Sequence, residues 1–374
     1  MKKVLFIQIK GKSKAGVWFV NKTIGEELIK NGYDVEILSI RNNQDDTVLE
    51  YDSRLKIHTI NENDLWEISR KKDIRSLKTL KKYIFEHKKL REDYEKAKDY
   101  IREINPDYII ASHYQALDAV PKEFYYKTVH EQHSSMKDVK SIKANYRSLK
   151  RYSKKIYGLI WLTHETKKEA DRLGFKNNYC IYNPVRFNTN ACAKVEVNNK
   201  LICITRIENA HKRINLMIKI VDEVLKNNPK WMFELYGFGK FDDQSKKILD
   251  SNKQMKYMGK TDNPKDALLT SSINLNTSKY EGFSLSILEA SMCGVPTVSF
   301  NFGESIYEEI ENDKTGYIID DDNIDAYIST LNRLMNDKNK LIQMSHDNKL
   351  FAKEFLPESI VREWIDFFNN MDKS

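Results

Sequence analysis

Short apolar runs recur along the chain, separated by longer segments in which apolar positions return every three or four residues. Runs of the first kind read as buried strands and segments of the second as helices laid over them. In the first half the predicted strands are Lys3–Ile9, Asp34–Leu38, Tyr108–Ala111, Thr128–His130, Gly158–Leu162 and Tyr179–Tyr182. In the second half they are Leu201–Ile204, Phe233–Tyr236, Lys256–Met258, Ile273–Asn276, Thr297–Phe300 and Gly316–Ile319, with helices at Ile214–Leu225, Leu285–Met292 and Ile324–Met335. Alternation of this kind gives parallel sheets covered by helices on both faces, the α/β class. It restarts near residue 200, after a stretch with Pro184, Asn188, Thr189, Asn190 and the pair Asn198-Asn199 but little apolar period. The predicted organisation is a domain over 1–183, a linker over 184–199, a second domain over 200–355 and a terminal segment over 356–374. In that segment the helix Pro357–Asn370 gathers Ile360, Trp364, Ile365, Phe367 and Phe368 on or near one face, so it is expected to pack back on the amino-terminal domain.

Composition supports two domains and excludes several classes. A length of 374 residues exceeds what one core usually serves, and 40% hydrophobic with 31% charged residues excludes a disordered or collagenous chain. No stretch approaches the ~18 apolar residues that span a bilayer. The run Val4–Ile9 after Met1-Lys2-Lys3 is too short for a signal peptide, so a cytoplasmic protein is expected, with any membrane contact peripheral. Cys180, Cys192, Cys203 and Cys293 form neither a C-x-x-C pair nor a metal-ligand grouping with histidine, so no disulfide framework and no metal are predicted. The net charge of +8 is uneven: residues 1–183 hold 37 basic and 26 acidic side chains, residues 184–374 hold 25 and 28. The excess concentrates at 70–91, net +8, and at 137–155, net +7, both read as helices. In the first, Ile74, Leu77, Leu80, Ile84 and Leu90 keep a partial apolar stripe, which suits either packing on the domain or an anionic membrane surface. No nucleic-acid motif or aromatic platform accompanies these helices, so nucleic acid is not an expected partner.

The most informative segment runs from Lys279 to Pro296. A strand ends before it and a helix begins inside it, with Ser284 placed as N-cap, Gly294 as the C-terminal glycine and Pro296 as a stop. Backbone N–H groups at such a helix start favour an anion such as a diphosphate. Glu281 precedes the helix, and Glu289 lies inside it in the apolar run of Leu285, Ile287, Leu288, Ala290 and Met292. A carboxylate there must either pair with a buried donor or accept from ligand hydroxyls, because an unpaired buried charge is costly. The run Asp320-Asp321-Asp322 lies before the Ile324 helix, where capping carboxylates are expected.

Two glutamates seven residues apart, Glu281-Gly282-Phe283-Ser284 through Leu288-Glu289-Ala290, followed by Gly294 and Pro296, resemble the E-x7-E signature of retaining GT-B glycosyltransferases of family 4. Arg206 and Lys212-Arg213 resemble that family's diphosphate clamp, although the interval from Arg206 to Lys212 is one residue longer than usual, which brings Arg213 and His211 into consideration. Glu234 to Gly239 resembles its strand and glycine turn, and Glu309-Ile310 with Thr315-Gly316-Tyr317 its usual ending. Residues 180–335 carry the resemblance, and residues 1–180 share only the layout.

The resemblance implies two Rossmann-like doubly wound parallel-sheet domains facing across a cleft, and a metal-independent hexosyltransferase without a cofactor. The donor would be a nucleoside-diphosphate sugar, UDP-linked, and the acceptor a bacterial envelope glycan or lipid-linked glycan, joined by an α-glycosidic bond. By the same resemblance Glu289 holds the ribose, Glu281 the donor sugar, the backbone of Gly282, Phe283 and Ser284 the phosphates, and Arg206 with Lys212 the departing charge, with Leu285 and Gly237 also among the substrate-binding residues. A functional histidine is implied just past the strand at Thr128, His130 first and His133 next, with Gly16 in the loop after the first strand. The alternatives are a catalytically silent nucleotide-sugar or polyanion binder of the same fold, or a soluble glucan or disaccharide synthase.

Overall fold

The computed structural model describes residues 1–11, 16–42, 51–62 and 76–373. The chain divides into two compact units, one of residues 1–162, 167–181 and 361–374, the other of residues 163–166 and 182–360. One sequence-based boundary changes. Residues 184–199 are part of the second unit and not a separate linker, because Val185, Ala193 and Val195 are buried and the Val185 and Ala193 amides donate to the carbonyls of Phe355 and Cys293.

The first unit contains β1 (Lys3–Lys10), β2 (Asp34–Arg41), β3 (Lys56–Asn61), β4 (Tyr108–Ala111), β5 (Thr128–Gln132), β6 (Gly158–Trp161) and β7 (Asn178–Cys180). Its helices are α1 (Gly16–Lys30), α2 (Leu77–Ile104), α3 (Met136–Ser141) and α4 (Lys143–Tyr152), with α5 (His164–Arg172) beginning in the second unit. The strands form one parallel sheet in the order β3-β2-β1-β4-β5-β6-β7. Val4, Leu5, Phe6 and Ile7 of β1 are all fully buried, as expected for a strand covered on both faces. Strand β3 is a finding of the structure: its Lys-Ile-His-Thr-Ile-Asn alternation is half-exposed along an edge and lacks the apolar run that marked the others.

Helix α2 starts in a capping box between Ser76 and Thr79 and ends at Asn105, whose left-handed φ of 40° closes it. Leu90, Tyr94, Ala97 and Ile101 are buried against the core, whereas Leu77, Leu80 and Ile84 are exposed. The apolar stripe read from the sequence is therefore two stripes, and Ile74, with the rest of 70–75, lies outside the described residues. Residues 361–374 close the unit: Phe368 stacks on Tyr108 with centroids 4.2 Å apart, and Phe367 meets Tyr157 and Tyr179 edge-on.

The second unit contains β8 (Lys200–Ile204), β9 (Met232–Tyr236), β10 (Met255–Gly259), β11 (Ile273–Asn276), β12 (Thr297–Phe300) and β13 (Gly316–Ile319), parallel in the order β10-β9-β8-β11-β12-β13. Its helices are α6 (Val195–Asn198), α7 (Ile214–Lys226), α8 (Asp243–Ser251), α9 (Pro264–Leu269), α10 (Leu285–Met292), α11 (Ile324–Asn336), α12 (Lys338–Phe351) and the start of α13 (Pro357–Met371). Helix α7 buries Ile214, Met217, Ile218, Val221, Val224 and Leu225 on the stripe its 3.6-residue period dictates. Strands β8 and β11 are neighbours, yet the chain leaves β8 toward β9 on one side and β11 toward β12 on the other. That reversal is where open α/β sheets bind ligands, beyond the carboxyl ends of the strands.

Candidate functional site

The signature residues of the second unit converge at this reversal. Arg206 follows β8, Lys212 stands two residues before α7, and Glu281 lies between β11 and α10. The Lys212 ammonium pairs with Glu281 Oε1, which also accepts from Ser278 Oγ at 2.7 Å, and both members of the pair are largely buried, 17% and 14% exposed. A small cavity beside them is lined by Thr205, Lys212, Asn276, Ser278, Glu281 and Ser286, among others. Arg206, two residues past β8, is exposed and is not among the residues that line the cavity.

Arg213, weighed beside Lys212 as a clamp, is turned inward. Its left-handed φ of 52° directs the guanidinium under the β11 loop, where Nε donates to Thr277 O at 2.6 Å and Nη2 to Ser278 O at 3.4 Å. The same side chain pairs with Asp321 and Asp322, each at 2.7 Å, and its Cζ lies 4.9 Å from the Phe300 ring centroid. This corrects the reading of Asp320-Asp321-Asp322 as capping groups, since Asn323 caps α11 while Asp321 and Asp322 hold Arg213. Arg213 fixes the loop that carries Ser278 and Glu281, and Lys212 alone of the two reaches Glu281. His211 lies edge-on to Tyr280 at 6.1 Å.

Glu289 is wholly buried, and its partner is one the sequence reading missed. Arg186 grips both carboxylate oxygens, Nε on Oε1 and Nη2 on Oε2 at 2.6 Å. A buried carboxylate demands a cation, and that demand was the available signal, but Arg186 sits in the stretch taken for a linker. Helix α10 runs for eight residues, and Gly294, at φ 73°, ends it where a Cβ would lie 2.6 Å from Cys192 Sγ.

The Ser284 hydroxyl caps nothing. Its amide donates instead to Glu309 Oε2 at 2.8 Å, so Glu309, which the sequence reading quoted only as part of the family's usual ending and gave no site role, occupies the helix N-terminus. Glu309 is fully buried, with no hydrogen-bond partner for Oε1 among the described residues. Burial pushes its carboxyl well above the usual carboxylate range, the Ser284 amide pulls the other way, and nearby Glu281 adds to the rise. Gly282 and Leu285 are half-buried, while Phe283 is buried against Tyr182 and Phe355, with centroids 5.5 and 5.7 Å away, so its ring holds the loop down.

Gly237 has a packing reason. At φ 149° a Cβ would lie 1.7 Å from the Thr205 carbonyl oxygen, so only glycine lets the turn after β9 close on the segment that carries Arg206.

In the first unit, β5 runs to Gln132, so His130 lies inside the strand and not past its end. It is 1% exposed, with Nδ1 2.7 Å from Ala111 O and Nε2 3.0 Å from Gln132 Oε1, and burial holds its pKa below the ordinary histidine value. His133 is half-buried, its Nε2 3.2 Å from Oε2 of the fully buried Glu131 but off the line of a hydrogen bond. Gly16 is exposed at the first position of α1, and residues 12–15 of its loop lie outside the described residues. Among the described residues no group of three His, Cys, Asp or Glu side chains is placed to hold a metal ion.

Over 378 aligned residues the chain is 26% identical to an uncharacterized glycosyltransferase of Haemophilus influenzae, covering 97% of this chain and 99% of that one. It is 27% identical over 253 residues to the poly(ribitol-phosphate) alpha-N-acetylglucosaminyltransferase of Staphylococcus aureus, covering 66% of this chain and only 50% of that enzyme. A crystal structure of a mutant of S. aureus TarM in complex with fondaparinux, alpha-GlcNAc-glycerol and UDP superposes with a TM-score of 0.78 at 17% identity, over 99% of this chain and 100% of that one. At that identity the likeness establishes the fold, a GT-B pair of Rossmann-like domains. Residues 186–350, which hold Arg186, Arg206, Lys212 and both signature glutamates, match the glycosyl transferases group 1 family.

Proposed function

We propose that the chain transfers a hexose from a UDP-linked sugar to a cell-envelope glycan, with retention and without a resident metal, at the cytoplasmic face of the membrane. The observation that carries this reading is the Lys212–Glu281 pair, held by Ser278 at the strand-order reversal of a group 1 domain. The names of the S. aureus relative and of the UDP-bound TarM structure support the polymer class and the nucleotide.

In this reading Lys212 and Arg206 meet the diphosphate, and their charge offsets the negative charge that grows on it as the bond to the sugar breaks. Glu281 keeps Lys212 oriented and accepts from donor sugar hydroxyls, while the ribose role of Glu289, whose two oxygens are gripped by Arg186, rests on the family resemblance alone. The acceptor oxygen bonds to the anomeric carbon on the face the diphosphate leaves, and its proton passes to the departing phosphate oxygen. No enzyme nucleophile is required, so positioning and charge do most of the work.

A melting-temperature screen of nucleotide sugars selects the donor, because a ligand of the folded state raises the transition by mass action. With that donor and a ribitol- or glycerol-phosphate polymer, Arg206→Ala and Glu281→Gln are each expected to lower transfer on the order of 100-fold. Transfer at the wild-type rate by both variants refutes the assignment. Donor binding with neither transfer nor slow donor hydrolysis identifies a silent binder instead.

A further inference from the structure

The two halves of α2 have different surroundings. From Leu90 onward its apolar residues are core. Before that, Leu77 is 69% exposed, Ile84 57%, Phe85 53% and Leu80 36%. Leu77, Leu80 and Ile84 follow i, i+3, i+7 spacing and so share one stripe, and at about 100° per residue that stripe lies more than 90° around the helix from the buried seam of Leu90, Ala97 and Ile101. A helix that serves only its own core has no use for this second stripe.

The charges around the stripe are of one sign. Between residues 77 and 91 the chain carries Lys78, Lys81, Lys82, Lys88, Lys89 and Arg91 against the single acid Glu86. Glu86 is buried and lies 3.6 Å from Lys82, so it does not offset the outward field. Lys81 and Lys88 fall on the same stripe as Leu77 and Ile84, and the Lys89 ammonium sits 5.5 Å from the Phe85 ring centroid. Apolar side chains flanked by long cationic ones suit an interface where hydrocarbon begins a few ångströms below a layer of phosphates, because lysine stems lie along apolar surface while their heads reach the anions.

We propose that the exposed stripe of α2 docks on an anionic lipid bilayer, with Leu77, Leu80, Ile84 and Phe85 entering the headgroup region and the surrounding lysines meeting lipid phosphates. A second copy of the chain is the poorer occupant, since a two-fold contact would set this cationic face against itself. The inference uses only the surface of α2 and is independent of the donor site and of the reaction proposed above.

The test is cosedimentation of the full chain with vesicles of equal parts phosphatidylglycerol and phosphatidylcholine, and with phosphatidylcholine alone. The wild type is expected to bind the anionic vesicles, more weakly as salt rises, and not the neutral ones. Joint substitution Leu77→Ser, Leu80→Ser and Ile84→Ser is expected to lower the partition coefficient roughly tenfold or more, and Lys81→Glu with Lys88→Glu likewise, while the melting temperature and donor binding stay unchanged because all these side chains are exposed. As a measurement that does not depend on folding of a multiple variant, a polarity-sensitive dye on Ile84→Cys should shift to the blue on anionic vesicles. Absence of wild-type binding at low salt, wild-type binding by the triple variant, or no dye shift overturns the proposal. So does a dimer in the analytical ultracentrifuge that the triple variant dissolves when the wild type ignores vesicles.

Discussion

Arg186 offers the sharpest test of how the donor unit is held together. Glu289 has no exposure at all, whereas the Arg186 side chain keeps 23% of its surface open, so the two partners are not equivalent. Arg186→Met leaves a carboxylate without a cation in a helix whose Ile287, Leu288 and Ala290 are fully buried. Breaking a buried pair in this way costs about 3–5 kcal/mol. In a unit of this size each kcal/mol moves the transition by about 2–4 °C, so the second unit should melt roughly 6–20 °C lower. Glu289→Gln should cost less, about 1–2 kcal/mol, because the amide still fills the space and the stranded arginine can turn to water. The double variant Arg186→Met with Glu289→Leu removes both charges and should recover most of the loss, since an apolar pair of similar volume often equals a buried ion pair. Scanning calorimetry, with circular dichroism to confirm the fold, measures all three. An Arg186→Met protein that melts within about 2 °C of the wild type, or one more stable than Glu289→Gln, refutes the reasoning.

Other expectations follow from the same geometry. Glu309 has a raised folded-state pKa, so its contribution to stability is complete below the ordinary carboxylate value and is lost as pH rises through the folded value; Glu309→Gln should flatten that loss in melting curves taken from about pH 5 to 9, and parallel curves count against it. His130 has a lowered pKa, so the first unit should lose stability as pH falls below about 6.5, with the imidazole staying neutral in NMR titrations well under that value; an imidazole that titrates at the ordinary value removes the argument. Gly237→Ala meets the Thr205 carbonyl and a φ of 149° together, so a loss of about 2–4 kcal/mol and weaker donor binding are expected, and an unchanged melting temperature shows that the turn can open.

Sequence reading located the parts of this fold whose physics is local. Strands buried on both faces announce themselves as apolar runs, and β4, β11, β12 and β13 fall within the limits drawn from the runs alone. An edge strand such as β3, half-polar by necessity, carries no such run. Glu281 and Lys212 were legible because each stands beside a helix start that the chain itself marks. Arg186, Arg213 and Glu309 were not, because what decides their roles is the direction of a buried side chain. Arg186 answers a charge 103 residues away, and Glu309 takes an amide 25 residues before it. The inward turn of Arg213 depends on one left-handed residue that no neighbouring glycine or proline signals. Each of the three nevertheless answers a demand the sequence does state: a carboxylate in an apolar helix, an anchored loop after a strand, an open helix N-terminus. The carboxylate of Glu289 in its apolar helix is itself the demand for a cation from elsewhere in the chain, and Arg186 is the residue that meets it.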